Sequence, residues 1–554
     1  MRRRMWWPAM LAAVALLAGC VSIPTGGGVT TTEIVAEDPD DLLVSLPALP
    51  TQDASPEEII ADFLRAGRGP QENYKVARAY LTDDFRSTWL PGARTLISST
   101  PISAVSLADN TFSVSVSASA AVDSEGRYST ATPVEPYDLT FGLVKNDDGQ
   151  WRISSAPDGT VLSPSRFSSI YKPYELYFFD PTFDFLVPDL RWFRAGSAAS
   201  DVIEAMLAGP SDRLGDGSLF SAFPAGTQLT GAPTITSGSA TVPLSSEVNA
   251  GSATTHRRME QQLLQTLRSV ASVREVEMTV ADFILQVPEG GTQADSSFLV
   301  GNDPVGAVDG RIGVLSADGV APIAGIGRSA DEVGAIGGSL VAHDRSSIAL
   351  LSPAGVSIVR AGQAPAVIDG RSGLVVPSLD QLGFTWSVPA DAPDQLMAIG
   401  PDAVQLIVPG LPGDARVVSI DVSRDGARLL VALDTAGGPR LIVAGIQRNA
   451  DLTPTGLVTP LDLPIGDADL LDAAWADGLT VVALTAGSLT AVDAYEIGGL
   501  HTSLDALNGG VAIVGGNTLE GTRVLDEEGR VLRPGGGTSW QDTGIVASFL
   551  ASQQ

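Results

Sequence analysis

The chain opens with a short apolar segment that ends at its only cysteine. Arg2–Arg4 precede the apolar run Trp6–Leu17, and the small residues Ala18 and Gly19 lead to Cys20. A basic start, a short apolar core and small residues before a cleavage point are typical of a secretory signal peptide. The run is shorter than the roughly 20 apolar residues that a membrane span needs. The sequence therefore predicts an exported chain without disulfides, so stability must come from buried apolar side chains.

The order Leu17-Ala18-Gly19-Cys20 resembles the lipobox of bacterial lipoproteins. The resemblance implies cleavage between Gly19 and Cys20, which leaves Cys20 as a mature N-terminus with N-palmitoyl and S-diacylglycerol groups. Two acyl chains anchor a protein stably, whereas a single chain binds a membrane only marginally. The alternative is an ordinary signal peptide with an incidental cysteine. On the first interpretation, residues 1–19 are the signal peptide and the protein lies on the extracytoplasmic face of the cell membrane.

Residues 20–53 have the composition of a flexible linker. They contain the run Gly26–Gly28, several prolines and the acidic stretch Glu37–Asp41, with few large apolar residues. Such a segment cannot bury enough apolar surface to fold by itself. As a coil its root-mean-square reach is roughly 30 Å, so we expect the folded part to lie near the membrane.

Composition restricts the classes of partner. Apolar residues make up 44% of the chain and charged residues 18%, which suits several globular domains. The formal net charge is −30. So acidic a chain is unsuited to nucleic acid, where basic side chains must neutralise phosphates, and to electrostatic attachment to anionic lipid. The acidic surface serves either solubility alone or docking of another protein.

The first domain is predicted over residues 54–165 with an α+β fold. Ser55-Pro56-Glu57-Glu58 has the pattern of a capping box that begins a helix. Strict alternation predicts a strand, and an Asn-Asp-Asp-Gly turn predicts a hairpin. The further predicted elements are a second helix over Asn73–Leu81 and strands over Thr111–Ser119, Leu139–Lys145 and Trp151–Ser154. The order resembles the cone-shaped nuclear-transport-factor-2-like domains.

The second domain is predicted over residues 172–290 with an α/β fold. Its predicted strands and helices are Glu175–Phe179, Ser200–Ala208, Thr227–Ile235, Ser239–Leu244, Thr255–Val270 and Val273–Val280. The turns in Ala205–Pro210 and Phe223–Thr227, together with Thr241–Ser245, resemble the GerMN domain of spore germination proteins and bacterial lipoproteins. A generic α/β domain with common turn residues is the alternative.

Residues 298–550 are predicted to form an all-β propeller. Helical periodicity is absent, and short Val/Ile/Leu runs recur between Asp-Gly, Gly-Gly and Pro turns. Four similar units are predicted to begin with the runs Ser339–Ala342, Phe384–Val388, Val418–Val422 and Leu471–Trp475. At roughly 40–45 residues per blade, the segment would hold about five or six blades. A pair of β-sandwiches is the alternative.

No catalytic, metal-binding or cofactor-binding residue is predicted. His256, His343 and His501 fall in three separate contexts, and zinc sites need clustered Cys and His. Gly325–Ala330 matches a dinucleotide-binding pattern, but it lacks the strand-to-helix context that phosphate binding needs, so we interpret it as a loop. The acidic runs Asp38–Asp41 and Asp147-Asp148 lack the alternating oxygen ligands of a calcium loop.

Lipobox, α+β domain, GerMN-like domain and propeller occur in an order that resembles the LpqB family of actinobacterial lipoproteins. The resemblance implies a non-enzymatic accessory of the Mtr two-component system, which binds the extracytoplasmic part of its sensor histidine kinase and influences cell-wall homeostasis and division. Two alternatives are a lipoprotein that binds peptidoglycan or another glycan, and a cell-wall hydrolase. Exposed tryptophans on the propeller would favour glycan, whereas the apolar neighbours of Trp386 and Trp475 predict that both are buried.

Overall fold

The computed structural model describes residues 48–554, except 101–102, 109, 212–213, 215–216, 341–345, 459 and 537–538. The predicted signal peptide, the lipidation site at Cys20 and the linker up to residue 47 lie outside the described residues. Pro47–Gln554 form one compact unit, and the clusters of buried apolar side chains within it span residues 54–551. This unit therefore contains the packing that it needs to fold. Within the described ranges, each helix is too short or too polar to cross a membrane.

The N-terminal domain packs helices against one face of a twisted sheet. Its helices are Pro56–Ala66 (α1), Gln71–Arg78 (α2) and Asp83–Thr88 (α3). Its strands are Arg94–Ile97 (β1), Ala104–Ala108 (β2), Thr111–Asp123 (β3), Tyr128–Lys145 (β4), Trp151–Ser155 (β5) and Thr160–Leu162 (β6). The sheet order is β5-β4-β3-β1-β6, with β2 also beside β3. Phe112, Val114, Val116 and Ala118 of β3 are buried, as the alternation predicts.

The start of α1 confirms the predicted capping box. The Ser55 hydroxyl accepts the Glu58 backbone N–H, and a Glu58 carboxylate oxygen accepts the Ser55 N–H at 2.8 Å. The predicted second helix, Asn73–Leu81, is wrong in its bounds. α2 begins at Gln71, but Glu72, Asn73 and Tyr74 have left-handed φ values of 48, 54 and 59°. The chain turns there so that the Tyr74 side chain reaches the core, and the short helix α3, which sequence analysis missed, follows.

The central domain consists of two sheets and two main helices, preceded by Pro164–Ile170 (α4). The first sheet pairs Tyr171–Phe179 (β7) with Leu186–Arg194 (β8) in antiparallel fashion. After Ala198–Ala208 (α5), the second sheet and its helix comprise Thr234–Thr236 (β9), Ser239–Leu244 (β10), Ala253–Val270 (α6), Glu275–Val280 (β11) and Phe283–Ile284 (β12). The second sheet has the order β12-β11-β10-β9, with β10 and β11 parallel.

In the central domain, one predicted strand is wrong in its extent and one observed strand was not predicted. The predicted strand Thr227–Ile235 is interrupted. Leu229 forms an isolated antiparallel bridge with Leu244, and the regular strand is only β9. Thr227 belongs to the preceding turn, where both its backbone N–H and its hydroxyl donate to the Pro224 carbonyl, the hydroxyl at 2.7 Å. The strand β8 was not predicted. Its side chains are buried almost throughout, so it lacks the alternation of polar and apolar residues that marks a half-exposed strand. Both α5 and α6 begin two residues before their predicted starts.

The described residues from Val305 onward form a propeller of six blades, so the alternative of paired β-sandwiches is wrong. Three strands of the closing blade come first: Val305–Val308 (β13), Arg311–Ser316 (β14) and Gly319–Ala321 (β15). The first complete blade comprises Gly337–Leu340 (β16), Ser347–Ser352 (β17), Gly355–Arg360 (β18) and Ala366–Asp369 (β19). The second comprises Ser378–Leu379 (β20), Thr385–Ser387 (β21), Met397–Ile399 (β22) and Gln405–Ile407 (β23).

The third to fifth blades follow in the same pattern. The third blade comprises Arg416–Val422 (β24), Arg428–Thr435 (β25), Gly438–Arg448 (β26), Pro454–Leu457 (β27) and Leu461–Leu463 (β28). The fourth comprises Leu470–Trp475 (β29), Thr480–Thr485 (β30), Ala491–Glu496 (β31) and His501–Ser503 (β32). The fifth comprises Gly510–Val514 (β33), Arg523–Asp526 (β34), Arg530–Pro534 (β35) and Trp540–Val546 (β36). Short 3-10 helices at Ser246–Ala250, Ser329–Val333, Pro393–Gln395 and Leu519–Gly521 lie in loops of the central domain and propeller.

The last strand, Phe549–Gln553 (β37), closes the ring. It lies antiparallel to β13, with Gly306 opposite Leu550, and parallel to β16, with Ser339 opposite Ser552. The closing blade is therefore built from both ends of the propeller segment. The innermost strands β16, β20, β24, β29, β33 and β37 contact one another in that order around the ring.

The predicted blade heads are correct for three blades and wrong for one. Val418–Val422 lies in β24, Leu471–Trp475 lies in β29, and Ser339 and Leu340 lie in β16. Phe384–Val388, however, contains the second strand of its blade, β21. The innermost strand there, β20, is only two residues long, so it produces no apolar run that sequence analysis could detect.

Candidate functional site

Two buried arginines of the propeller lie beside the segment that connects it to the central domain. Arg424 donates to the backbone carbonyls of Phe298 and Gln553 at 3.3 Å each, and to that of Gly516. Arg428 pairs with Asp425, and its guanidinium lies 4.6 Å from the centroid of the Trp475 ring. These side chains are almost wholly buried. Buried charges of this kind remain stable only when each has a close partner, so these arginines depend on a fixed position of the connecting segment and the neighbouring propeller turns.

The propeller has two faces of different character. Ala427, in the turn after β24, packs in the buried cluster of the central domain, and Trp192 of that domain donates to the Gly498 carbonyl at the same end of the propeller. We call this end the docked face. Because successive strands of a blade are antiparallel, the loops that enter the innermost strands and the turns between second and third strands lie at the other end. We call that end the open face.

Trp192 of β8 joins all three domains. Its indole N–H donates to the Gly498 carbonyl of the propeller at 2.9 Å, and its backbone N–H donates to the Gly126 carbonyl of the N-terminal domain at 2.7 Å. Its ring lies 5.6 Å from that of Tyr128 and 5.0 Å from that of Phe167. The side chain is 5% exposed.

Replacing Trp192 with phenylalanine is expected to lower the free energy of unfolding by about 1–3 kcal/mol, because the half-buried Gly498 carbonyl loses its donor while an aromatic ring is retained. Urea unfolding followed by circular dichroism measures the change. Trp151→Phe is the matched control, since Trp151 is half-buried and contacts Lys145 at the surface. Equal losses in both variants would contradict a joining role for Trp192.

A cleft lies where the three domains meet, and we call it the junction cleft. One cavity of about 380 Å³ and a neighbouring one of about 320 Å³ share Tyr128, Ser129, Leu461 and Gly498 in their walls. The N-terminal domain contributes Arg94 and Tyr137 to the larger cavity. A volume of this size is in the range of small-molecule sites.

The charged groups of the junction cleft are mostly paired with one another. Arg191 donates to Asp189 at 2.7 Å and to the Glu125 carbonyl at 3.0 Å. Burial opposes the charge on Arg191, but Asp189 beside it, with the more distant Glu125 and Asp123, raises its pKa above the usual value. Burial, with a contribution from Asp477, raises the pKa of Glu496 at the other end of the cleft. These groups position the domains and leave little free charge for a ligand.

Arg94 is the exception. It is exposed, and its guanidinium lies 5.8 Å from the centroid of the Tyr137 ring. Among the described residues, no carboxylate lies within ion-pair distance of it. The sequence analysis did not identify Arg94, because an arginine at the start of a strand carries no distinctive pattern.

The open face is acidic and carries exposed apolar side chains. Its exposed carboxylates are Asp309, Glu332, Asp391, Asp394, Asp414, Asp434, Asp467, Asp469, Asp505, Glu527 and Glu528. Its basic residues are Arg311, Arg328, Arg416 and Arg530, of which Arg416 pairs with Asp391 and Arg530 with Glu528, each at 3.3 Å. Ile336 and Val376, at the entry to the first two innermost strands, are 62% and 40% exposed. Apolar side chains within a charged rim are typical of a protein-binding surface.

The tryptophans do not form an exposed platform for glycan. Trp386 and Trp475 are buried, as predicted. Of the other tryptophans in the described ranges, Trp89 and Trp192 are buried and Trp151 and Trp540 are half-buried.

The histidines lie apart. His256 contacts the Val248 carbonyl at 3.0 Å in the central domain, whereas His501 stacks on Tyr495 in the propeller. His343 lies outside the described residues. In the described ranges no group of three or more His, Cys, Asp or Glu side chains could hold a metal ion. Gly325–Ala330 forms turns that lead into the short 3-10 helix Ser329–Val333, which confirms its interpretation as a loop.

Two buried aspartates connect the innermost strands of the propeller. Asp421 of β24 accepts the Trp475 N–H of the next blade at 3.0 Å, the Ser378 hydroxyl of the preceding blade at 3.4 Å, and the Gln554 side-chain N–H. Asp472 accepts the Ile513 N–H at 2.9 Å. Burial raises the pKa of Asp421 to about 7 and that of Asp472 to about 6.

Family comparisons match the three domains separately. Residues 49–168 match the model of the lipoprotein LpqB N-terminal domain, residues 175–282 the "Sporulation and spore germination" model, and residues 310–548 the lipoprotein LpqB beta-propeller model. These matches agree with the N-terminal α+β, GerMN-like and propeller domains of the fold.

Curated relatives match over nearly the whole chain. Lipoprotein LpqB of Cutibacterium acnes is 26% identical over 96% of this chain and 96% of its own length. That of Thermobifida fusca is 26% identical over 89% and 90%, respectively. Among solved structures, the first GerMN domain of GerM from Bacillus subtilis is 22% identical, with 23% of this chain and 95% of that chain covered and a TM-score of 0.19. Streptogramin B lyase is 11% identical, with 38% and 82% covered and a TM-score of 0.27.

Proposed function

The chain belongs to the LpqB family of lipoproteins, and from that premise we propose that it binds the extracytoplasmic part of a sensor histidine kinase. It is anchored through acyl chains on Cys20 to the extracytoplasmic face of the cell membrane. Binding modulates the Mtr two-component system, which controls cell-wall homeostasis and division. The protein acts by binding, without catalysis of its own.

The open face of the propeller is the observation that carries this proposal. Within residues 48–554, the central domain contacts the propeller at the docked face, and the opposite face combines exposed apolar residues with an excess of carboxylates. Rigid blades hold these side chains in fixed positions, which reduces the entropy that binding costs. The partner surface that fits is apolar at its centre and basic around it.

The anchor makes a weak interface sufficient. A protein that a short flexible segment holds at a membrane reaches an effective concentration of roughly millimolar near a partner in the same membrane. An interface with micromolar affinity in solution would therefore be occupied at the membrane. Because the contacts at the rim are between exposed charges, affinity is expected to fall as the salt concentration rises.

Reversing three charges on the open face tests the proposal. The variant Asp414→Lys/Asp434→Lys/Asp469→Lys changes exposed carboxylates of two adjacent blades. Its dissociation constant for the purified kinase ectodomain is expected to rise about tenfold or more, because like charges then face each other across the interface. Surface plasmon resonance with residues 21–554 measures the constant.

The matched control reverses the same number of exposed carboxylates elsewhere. Asp148, Glu204 and Glu275 lie in the N-terminal and central domains, and their replacement by lysine should leave affinity within about twofold. Equal weakening by both variants would show a non-specific charge effect. Binding to isolated cell wall, with no binding to the ectodomain at high micromolar concentration, would overturn the proposal in favour of a glycan-binding role.

A further inference from the structure

The N-terminal domain contains an apolar pocket that the proposed function does not use. The pocket has a volume of about 290 Å³ and lies between α1 and the concave side of the sheet. Phe63 and Leu64 of α1 form one wall, and Leu96, Phe141 and Val161 of the sheet form the other. These five side chains are only 1–6% exposed, so the surface that a ligand can reach comes mainly from other lining residues, such as the half-buried Tyr137 and Leu139. This lining suits an apolar group.

Arg94 and Tyr137 lie where this pocket meets the junction cleft. Both residues line the pocket of about 290 Å³ and also the cavity of about 380 Å³ in the junction cleft. The two cavities therefore have a cation and an aromatic ring in common. The Arg94 guanidinium is held over the Tyr137 ring rather than by a carboxylate.

Arg94 donates no hydrogen bond to a described residue, whereas Arg152 and Arg194, which also lack an ion pair, donate to the Trp151 carbonyl and the Tyr74 hydroxyl. The chain has 64 acidic residues and 34 basic ones, and the neighbouring Arg191 pairs with Asp189. Asp158 also lines the apolar pocket, but its carboxylate accepts the Leu90 backbone N–H at 2.8 Å. Asp123, in the junction cleft, accepts the backbone N–H groups of Glu125 and Arg127 at 2.9 Å each. An arginine without a carboxylate partner at the border of an apolar pocket is suited to pair with the acidic group of a ligand.

We propose that the N-terminal domain binds an amphipathic anion, with its apolar part in the pocket and its carboxylate or phosphate head beside Arg94. The head then lies in the junction cleft, whose other walls come from the central domain and the propeller. The ligand would therefore contact all three domains. This inference does not depend on kinase binding, since the pocket and the open face lie on different domains.

Calorimetry with simple probes tests the proposal on residues 21–554, which contain the whole compact unit. Dodecanoate and dodecyl phosphate carry both a chain and an anionic head, dodecanol lacks the charge, and acetate lacks the chain. We expect both anionic amphiphiles to bind about tenfold or more tightly than dodecanol, and acetate not to bind. Phosphatidylglycerol vesicles, compared with the free probes, distinguish a membrane lipid from a soluble amphiphile as the source of the ligand.

Two variants separate the roles of head and chain. Arg94→Gln is expected to weaken dodecanoate about tenfold or more while leaving dodecanol unchanged, because only the charged head loses its partner. Leu96→Trp fills the pocket and is expected to weaken every probe with a chain. Arg311→Gln, an exposed arginine of the propeller, is the control and should change neither.

Three results would overturn the inference. They are no heat of binding for dodecanoate up to its solubility limit, equal affinity for dodecanol and dodecanoate, and unchanged dodecanoate affinity in Arg94→Gln. Arg94 is exposed, so Arg94→Gln is expected to keep the circular dichroism spectrum and the melting temperature of the unmodified protein. Its affinity for the kinase ectodomain is also expected to stay unchanged, which keeps failure here distinct from failure of the proposed function.

Discussion

Replacing Asp380 with alanine is expected to lower the free energy of unfolding by about 3–5 kcal/mol, the cost of leaving a buried charge without its partner. Asp380 and Arg448 are both inaccessible to solvent, and their side chains approach to 2.6 Å. The same carboxylate accepts the backbone N–H groups of Leu382 and Phe384 and the Trp386 indole N–H, at 2.9–3.0 Å. The substitution therefore removes one acceptor from four donors and leaves Arg448 charged inside the propeller.

Urea unfolding followed by tryptophan fluorescence measures this loss, because Trp386 loses its hydrogen bond at the same position. Asp402→Ala is the control. Asp402 lies in a neighbouring turn of the same blade, is exposed, and accepts only the Val404 N–H at 3.3 Å. We expect the control to change stability by less than about 0.5 kcal/mol. A loss below about 1 kcal/mol for Asp380→Ala would show that water or a rearranged neighbour replaces the carboxylate.

Asp421→Asn is expected to stabilise the protein above pH 7 and to have almost no effect near pH 4. Burial raises the pKa of Asp421 to about 7 in the folded state, whereas an unfolded aspartate has a pKa near 3.9. The folded state therefore binds a proton more tightly than the unfolded state. The contribution of this proton to stability is complete below about pH 4 and is lost as the pH rises to about 7.

An asparagine at position 421 imitates the protonated acid at every pH. Its side-chain oxygen can still accept the Trp475 N–H. Its amide can donate to the Gln554 side-chain oxygen once the Gln554 amide group turns over, since the Gln554 side-chain N–H now faces Asp421. The expected difference between variant and unmodified protein grows from near zero at pH 4 to about 2–4 kcal/mol at pH 8.

Chemical unfolding at pH 4, 6 and 8 tests this pH dependence. Asp469→Asn, an exposed aspartate just before β29, is the control and is expected to show no such trend. Because burial also raises the pKa of Asp472 to about 6, some pH dependence will remain in Asp421→Asn. A variant less stable than the unmodified protein at pH 8 would show that the ionised form of Asp421 is needed in the folded state.

The sequence predicted elements whose signal is local. α1 was predicted because Ser55 and Glu58 stand at the spacing of a capping box, and β3 because its buried and exposed residues alternate. β8 and β20 were missed for opposite reasons. β8 is buried on both faces and so lacks alternation, whereas β20 is too short to have a pattern at all.

The features of the candidate site depend on distant residues and were not predictable. Arg94 lies near Tyr137 only because β1 and β4 flank β3, and no spacing along the chain indicates that a pocket lies beside it. Asp421 and Asp472 belong to ordinary strand patterns, and their altered pKa values arise from burial by three neighbouring blades. Burial by residues that are far apart in the chain produces no local sequence pattern.

The pairing of β37 with both β13 and β16 has a consequence for how the molecule reaches its final state. The blade that contains residues 305–308 is complete only after residues 549–553, more than 240 positions later in the chain, have paired with them. Closing so long a loop costs entropy before the contacts that repay it are formed. We therefore expect slow refolding, with the final step limited by ring closure. In the closed ring every blade has a neighbour on both sides, so no end blade can detach alone. Spontaneous opening should therefore be rare on the timescale of cell growth.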